Sequence, residues 1–274
     1  MSRKTPKITL VTCHHFRPDL LRRAIQSVQR QTFQDYEHII VSDHCPFTEH
    51  VYNDFKDDKR IKFFEVEEPH VENYGALAFR LAIEKSNSNY ITYLLDDDVL
   101  YENHLAVHYD YMKTTNGVGQ SYHDFARFAP PNDTAKCIIS KSFDELSEMS
   151  KINKQISADS IDVSCLSHTK EDGIRARWKT QTELGIGGTP EDNQFMADIG
   201  VDRENRINET TCIKCGWGGY WRDQASTRGL DNQYRDILMN KIVEDKNTSS
   251  GFRLESDTPY AYPELKDNLF GEDT

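Results

Sequence analysis

Residues 90–99 read Tyr-Ile-Thr-Tyr-Leu-Leu-Asp-Asp-Asp-Val. Tyr90 to Leu95 are aromatic, β-branched or aliphatic, the composition of a strand covered on both faces. Asp96, Asp97 and Asp98 follow where that strand would leave its sheet. Three adjacent carboxylates repel one another unless a cation sits among them. Hard oxygen donors suit Mg²⁺ or Mn²⁺, and Mg²⁺ commonly takes one or two carboxylates together with substrate phosphates. In an open α/β sheet, ligands bind beyond the carboxyl ends of the strands. The triplet therefore points to a metal–diphosphate site. A solvated acidic turn is the plainer alternative for the same residues.

The segments before the triplet give it a setting. Ile8 to Cys13 is a short apolar strand. Pro18 suits the first position of a helix, and Leu20, Leu21, Ala24, Ile25 and Val28 make one apolar stripe at helical spacing. Tyr36 to Asp43 is a second strand that again ends in a carboxylate. Phe47 to Phe55 predicts a short helix, Ile61 to Val66 a third strand, and Asn73 to Lys85 a helix with Ala76, Phe79, Ala82 and Ile83 facing inward. A helix from about Glu102 to Lys113 follows the triplet. This β-α alternation at short spacing predicts an α/β fold with a parallel sheet and right-handed crossovers. No Gly-x-Gly-x-x-Gly follows the first strand, which argues against a dinucleotide site of the usual kind.

Beyond Thr115 the alternation weakens. Gly117 to Tyr122 and Ile161 to Leu166 are candidate strands, and Trp178 to Thr189 is a candidate mobile loop. Thr189-Pro190-Glu191-Asp192 opens a helix running to about Ile199. The division expected is one domain over 1–240, with its two halves meeting near 115, and a polar tail from Lys241.

Composition sets the outer limits. With 274 residues, 37% hydrophobic and 28% charged, the chain has ample material for a core. No run of about 18 apolar residues predicts a membrane span, and residues 1–7 are polar rather than signal-like. The formal charge of −12 argues against sequence-independent nucleic-acid binding. Six cysteines are scattered, and only Cys212 and Cys215 form a Cys-x-x-Cys, half of a closed zinc site. Free thiols without a signal peptide fit a reducing cytoplasm.

The ordered set of segments resembles the inverting GT-A glycosyltransferases of family 2. Ile8-Thr-Leu-Val-Thr12 and the run Arg17 to Phe33 are similar to that family's opening pattern. Glu37 to Asp43 resembles the strand whose terminal Asp contacts the nucleotide base, and Tyr90 to Asp98 the strand bearing its Asp-x-Asp motif. Glu191-Asp192 resembles the family's Glu-Asp pair, whose Asp is the general base. Tyr220-Trp-Arg222 resembles a segment that closes over the phosphates. Two departures stand out. Asn73 and Gly75 are present, yet Phe79 occupies the place of a family Arg, with Arg80 one position later. His44-Cys-Pro46 replaces the usual Asp-Gly-Ser after the second strand.

The resemblance implies a GT-A fold, mostly parallel with a smaller mixed acceptor-side region, and transfer of a sugar from a nucleotide diphosphate, UDP first, to a hydroxyl acceptor of a glycan. It implies donor contacts from Thr12, Asp43, Asn73, Asp96, Asp97, Asp98 and Arg222. The metal, Mn²⁺ or Mg²⁺, would fall to Asp97 or Asp98, the base to Asp192, and the acceptor side to Asp162 and Glu191. Each has a plainer role open to it. Asp43 suits a cap, Thr12 a backbone partner, and Asp162 a turn. Asp192 suits the acidic first turn of a helix begun by Thr189 and Pro190. His14 and His15 stand near the nucleotide edge or fit a solvated loop, while Trp178, Trp217 and Trp221 fit either a sugar platform or a core. A catalytically silent binding module of the same fold, or a nucleotidyltransferase, are the competing functions. The second would want a glycine-rich phosphate loop after the first strand, which Cys13–Phe16 does not supply.

Overall fold

A computed structural model describes residues 5–14, 18–45, 48–67, 75–96, 98–126, 162–185, 191–201 and 203–215. Two compact units divide the chain: residues 1–124 with 155–214, and 125–154 with 215–274. Nearly all described residues lie in the first. Trp217, Trp221 and Arg222, together with Asn73 and Asp97, lie outside the described residues.

The first half follows the expected alternation. Strand β1 (Ile8–His14) is buried along almost its whole length. Helix α1 (Pro18–Gln29) turns Leu21, Ala24, Ile25 and Val28 inward, the described part of the stripe read from the sequence. Strand β2 (Tyr36–Ser42), helix α2 (Thr48–Phe55), strand β3 (Ile61–Glu65) and helix α3 (Ala76–Lys85) follow. Strand β4 (Tyr90–Tyr93) is short because the chain turns at the acidic triplet. The order β3-β2-β1-β4 is parallel throughout.

The second half of the sheet is antiparallel, giving the smaller mixed region that the resemblance implies. Strand β5 (Val99–Leu100), helix α4 (His104–Thr115) and strand β6 (Gly119–Ala126) follow the triplet. Of the strand expected over 161–166, the described residues 162–165 turn instead, and only Leu166 lies in a strand. Asp162 Oδ1 accepts from the Ser164 amide, and this side-chain bond starts a 3₁₀ turn over Val163–Cys165. The chain joins the sheet only at β7 (Leu166–Thr169), antiparallel to both β4 and β6. Helix α5 (Lys170–Ala176), helix α6 (Gln181–Leu184), helix α7 (Glu191–Asp198) and strand β8 (Arg206–Cys215) complete the described elements.

The eight strands run in the order β3-β2-β1-β4-β7-β6-β8-β5. β4 ends at Tyr93 and β5 begins at Val99, yet they stand fourth and last. Four strand spacings are about 19 Å, close to the full reach of six extended residues. The link is turned at Asp96 rather than extended, so the sheet must curl to bring its last strand back toward β4.

Glu37 locks the opposite end of the sheet. It is 3% exposed and accepts from Thr9, Lys62 and the backbone and side chain of Asn87. Burial alone would raise its pKa, but these donors hold it below the ordinary value. Between β4, β6, β7, β8 and α4 lies a buried polar network. His104 bonds with Thr92 at 3.0 Å and Thr211 at 2.9 Å, and His108 with Ser167 at 2.8 Å and Ser121 at 3.0 Å. Every ring nitrogen of the pair is thereby satisfied, as burial demands.

Candidate active site

The carboxyl ends of β1, β2 and β4 gather the first acidic cluster. Asp96 is 1% exposed, and its Oδ2 lies 3.3 Å from His14 Nδ1. His14 is not the solvated loop residue the sequence suggests; it ends β1 and is buried. Burial opposes its charge, but Cys45 and Asp96 outweigh that and raise it to about 9. Cys13, beside it, is raised well above the usual thiol value, first by burial and then by Asp96 and Asp43. Asp96 and Asp43 therefore act on the same point from two strand ends. Asp43 is also placed by its backbone, whose amide donates to the His14 carbonyl at 2.9 Å.

Thr12 is used differently from the nucleotide contact expected. It is fully buried, and its hydroxyl pairs with His38 Nε2 at 2.9 Å. The side chain is spent inside the sheet.

Asp98 belongs to a second cluster. Ser164 Oγ donates to Asp98 Oδ2 at 2.8 Å, while the Ser164 amide donates to Asp162 Oδ1 at 2.9 Å. Ser164 also takes the Leu95 amide at 3.1 Å, so it fixes the backbone leading into the triplet. Sequence reasoning names Asp162 as a candidate but not Ser164. Its one signal is its place two residues after an acid, the spacing of an Asx turn. Cys212 is buried beneath this cluster, and its thiol is raised by burial, by Cys165 and by Asp98 and Asp162. The side chain of Cys215 lies outside the described residues, so the Cys-x-x-Cys pair is seen only through Cys212.

Helix α7 presents the remaining carboxylates. Asp192 is half-buried, and its Oδ1 accepts from the Asn193 amide at 2.8 Å. Glu191 is 6% exposed, and its Oε1 has no hydrogen-bond partner among the described residues. An unpaired carboxylate oxygen in such a place is costly and is retained at ligand sites.

Helix α3 begins at Gly75, whose φ of +98° is open to glycine at little cost. Arg80 does not face the donor edge. It donates to the Trp178 carbonyl and pairs with Glu183. Trp178 is core rather than sugar platform, at 2% exposure. The segment read as a mobile loop is therefore anchored over its described part, to Gly185. Thr180 and Glu183 cap each other's amides at the start of α6, at 2.8 and 3.2 Å.

Strand-end carboxylates on a curled α/β sheet, with further acids from a 3₁₀ turn and a short helix, define the GT-A class. Residues 9–132 match the model of glycosyl transferase family 2. A protein of Rickettsia bellii (strain RML369-C) described as an uncharacterized glycosyltransferase is 32% identical over 114 residues. That match covers 40% of this chain and only 16% of the relative's length. The fold resembles TarS residues 1–349 of S. aureus, solved in complex with UDP-GlcNAc, with TM-score 0.55 and 11% identity over 76% of this chain and 58% of that one. It also resembles the mannosyltransferase PcManGT of Pyrobaculum calidifontis, solved with GDP-Man and Mn²⁺, with TM-score 0.50 and 13% identity over 86% of this chain and 65% of that one. No helix among the described residues is long and apolar enough to cross a membrane.

Proposed function

We propose that this chain transfers a sugar from a nucleotide diphosphate to an acceptor hydroxyl, with inversion and with Asp192 as general base. The supporting observation is the Asp98–Ser164–Asp162 bridge, which holds buried acids at the strand end where α/β sheets bind ligands. Asp43 would meet the base and Asp96 the diphosphate side of the donor. Asn73 and Arg222 remain proposed donor contacts from the family resemblance.

The donor set fits a divalent cation in its chemistry. Asp98 is a hard oxygen ligand, 1% exposed, in a cluster whose negative charge also acts on Cys212. Among the described residues no group of three or more His, Cys, Asp or Glu side chains is arranged to hold a metal. Asp97 or Asp98, with diphosphate oxygens, would hold Mn²⁺ or Mg²⁺, which supplies charge neutralisation at the leaving group. Asp192 would take the acceptor proton as the hydroxyl attacks the anomeric carbon. Glu191, whose Oε1 has no partner among the described residues, would receive a hydrogen bond from the acceptor. Among the described residues Cys13, Cys45, Cys165 and Cys212 are free thiols, which supports a reducing compartment such as the cytoplasm.

The test is thermal stability against UDP and GDP, each with and without Mn²⁺, on the wild type, Asp98→Ala and Asp192→Asn. A ligand that binds the native state raises the melting temperature by mass action. Transfer predicts a Mn²⁺-dependent shift lost in Asp98→Ala and kept in Asp192→Asn. It also predicts that sugar transfer or donor hydrolysis disappears in Asp192→Asn. No shift with either nucleotide would overturn the proposal, and nucleotide binding with no turnover, in the wild type as in Asp192→Asn, would leave a silent binding module.

A further inference from the structure

Three flat rings are stacked face to face from α3 to the helix that carries Asp192, beside the strand that leads to the acidic triplet. Phe79 of α3 lies on Trp178 with centroids 4.3 Å apart and planes 24° apart. Trp178 lies on Phe195 of α7 at 4.2 Å and 13°. Tyr93, the last residue of β4, stands edge-on to all three, at 5.4, 5.9 and 6.4 Å. All four side chains are buried.

The middle ring is fixed from several sides. Its Nε1 donates to the Tyr93 hydroxyl at 3.3 Å, and its backbone carbonyl accepts from Arg80. Tyr93 hydroxyl in turn pairs with His168 Nε2 at 2.6 Å, and the His168 ring packs against Phe195. Helix α7 has eight residues and cannot hold its own orientation in water. Phe195 lies one helical turn from Asp192 and from Glu191, on the i+3 and i+4 spacings. Tyr93 lies three residues before Asp96 in the same chain segment. The same ring cluster therefore packs against the strand that leads to Asp96 and the helix that carries Glu191 and Asp192. A flat ring held between two near-parallel rings fixes their separation and forbids tilt; an aliphatic side chain of similar volume would fill the space and leave tilt free.

We propose that Trp178 is a positioning residue, setting α7 against β4 and so fixing where the Asp192 carboxylate stands relative to the acidic strand end. The proposal rests on Asp192 being the base. It also assigns a use to Phe79. Where the resembling family carries an arginine, this chain supplies an outer ring of the stack, and Arg80 anchors the loop that brings Trp178.

The experiment compares the full-length chain with Trp178→Leu, Trp178→Phe and Asp192→Asn. Amide hydrogen exchange is followed over 191–198 and over 36–42. Donor hydrolysis is measured with UDP-N-acetylglucosamine and GDP-mannose, each with Mn²⁺. Trp178→Leu is expected to speed exchange in 191–198 by about tenfold or more while 36–42 stays protected. Its turnover number should fall on the order of 10–100-fold at a donor KM changed less than about twofold, as a displaced base requires. Trp178→Phe, which keeps a flat ring, should recover most of both. If Trp178→Leu does not fold, Phe79→Leu removes an outer ring and takes its place with the same readings. Unchanged exchange in 191–198, or equal acceleration in 36–42, overturns the proposal. If Asp192→Asn keeps full turnover, the base assignment fails while the exchange pattern still decides the positioning. If Asp192→Asn is inactive and Trp178→Leu turns over at the wild-type rate, the positioning alone fails. Should neither donor be hydrolysed by the wild type, the exchange pattern decides.

Discussion

Ser164 reaches back across 66 positions of sequence to hold Asp98, its hydroxyl donating to the carboxylate at 2.8 Å. The same oxygen takes the Leu95 amide. Ser164→Ala removes both bonds at once. Partners that orient a ligating carboxylate are commonly worth about 10–100-fold in metal affinity. The expected outcome is a Mn²⁺ requirement for UDP binding shifted upward by about that factor, read by titrating Mn²⁺ against the melting temperature. The unpaired Leu95 amide should also lower stability by about 1–3 kcal/mol. A Mn²⁺ dependence identical to wild type would remove Asp98 from the donor site.

Acid should unfold this protein early. Burial depresses His38 and His108 to about 3 and His168 to about 4, whereas all three titrate near 6.5 once unfolded. Between these limits the unfolded chain binds more protons, so stability is full above about pH 6.5 and is lost as pH falls toward 3–4. At pH 5 the loss is roughly 2 kcal/mol per histidine. His14, raised to about 9, has the opposite sign: its contribution is present below 6.5 and is lost as pH rises through about 9. The urea midpoint measured from pH 4 to 10 should therefore peak between 7 and 8. A midpoint flat from pH 7 to 5 would contradict it.

Gly173 has no room for a side chain. A Cβ there would collide with the His168 ring, which is held by the Tyr93 hydroxyl at 2.6 Å and the Thr169 carbonyl at 2.7 Å. Gly173→Ala gains about 1 kcal/mol of helix propensity within α5, but overpacking against a pinned ring costs about 1–3 kcal/mol. The net expectation is a lower melting temperature, by a few degrees, measured by circular dichroism. A rise would show that the ring yields.

Glu37→Gln tests the end of the sheet remote from the acids. The amide keeps the volume but loses the charge that pairs with Lys62 and collects the Asn87 donors. Removing one member of a largely buried pair costs about 3–5 kcal/mol. Stability should drop by that order while UDP binding per folded molecule is unchanged. A loss of binding without a loss of stability would mean that the two ends of the sheet are coupled.

The parallel half of the fold was legible because its signals are local. Apolar runs of strand length, the α1 stripe and the acids at strand ends all lie within single segments. What escaped depends on partners far away. β5 is two residues long and is a strand only through its pairing with β8. The turn at Asp162–Cys165 displaced β7 by a side-chain bond that composition does not reveal. Helix α5 did carry a signal in Thr169-Lys-Glu-Asp172, since Thr169 and Asp172 bond reciprocally at the helix start. Within the site, Asp43, Asp96, Asp98 and Asp162 could be named from their segments, but their grouping into two clusters follows from His14 and Ser164, which local pattern assigned to a loop and to no role.

The β5–β8 pairing bears on how the molecule comes to exist. Val99 faces Ile213 and Leu100 faces Cys212. The acidic link between β4 and β5 is thus clamped on one side by β1, made about eighty residues earlier, and on the other by β8, made more than a hundred residues later. Closing such a long loop is among the slower steps of folding, and contacts of high sequence separation form late. While the chain is still emerging from the ribosome, the carboxylates have no fixed frame in which to bind a nucleotide. If the proposed donor site is right, competence for the donor would arrive with β8, and a half-made chain would have no means of sequestering it.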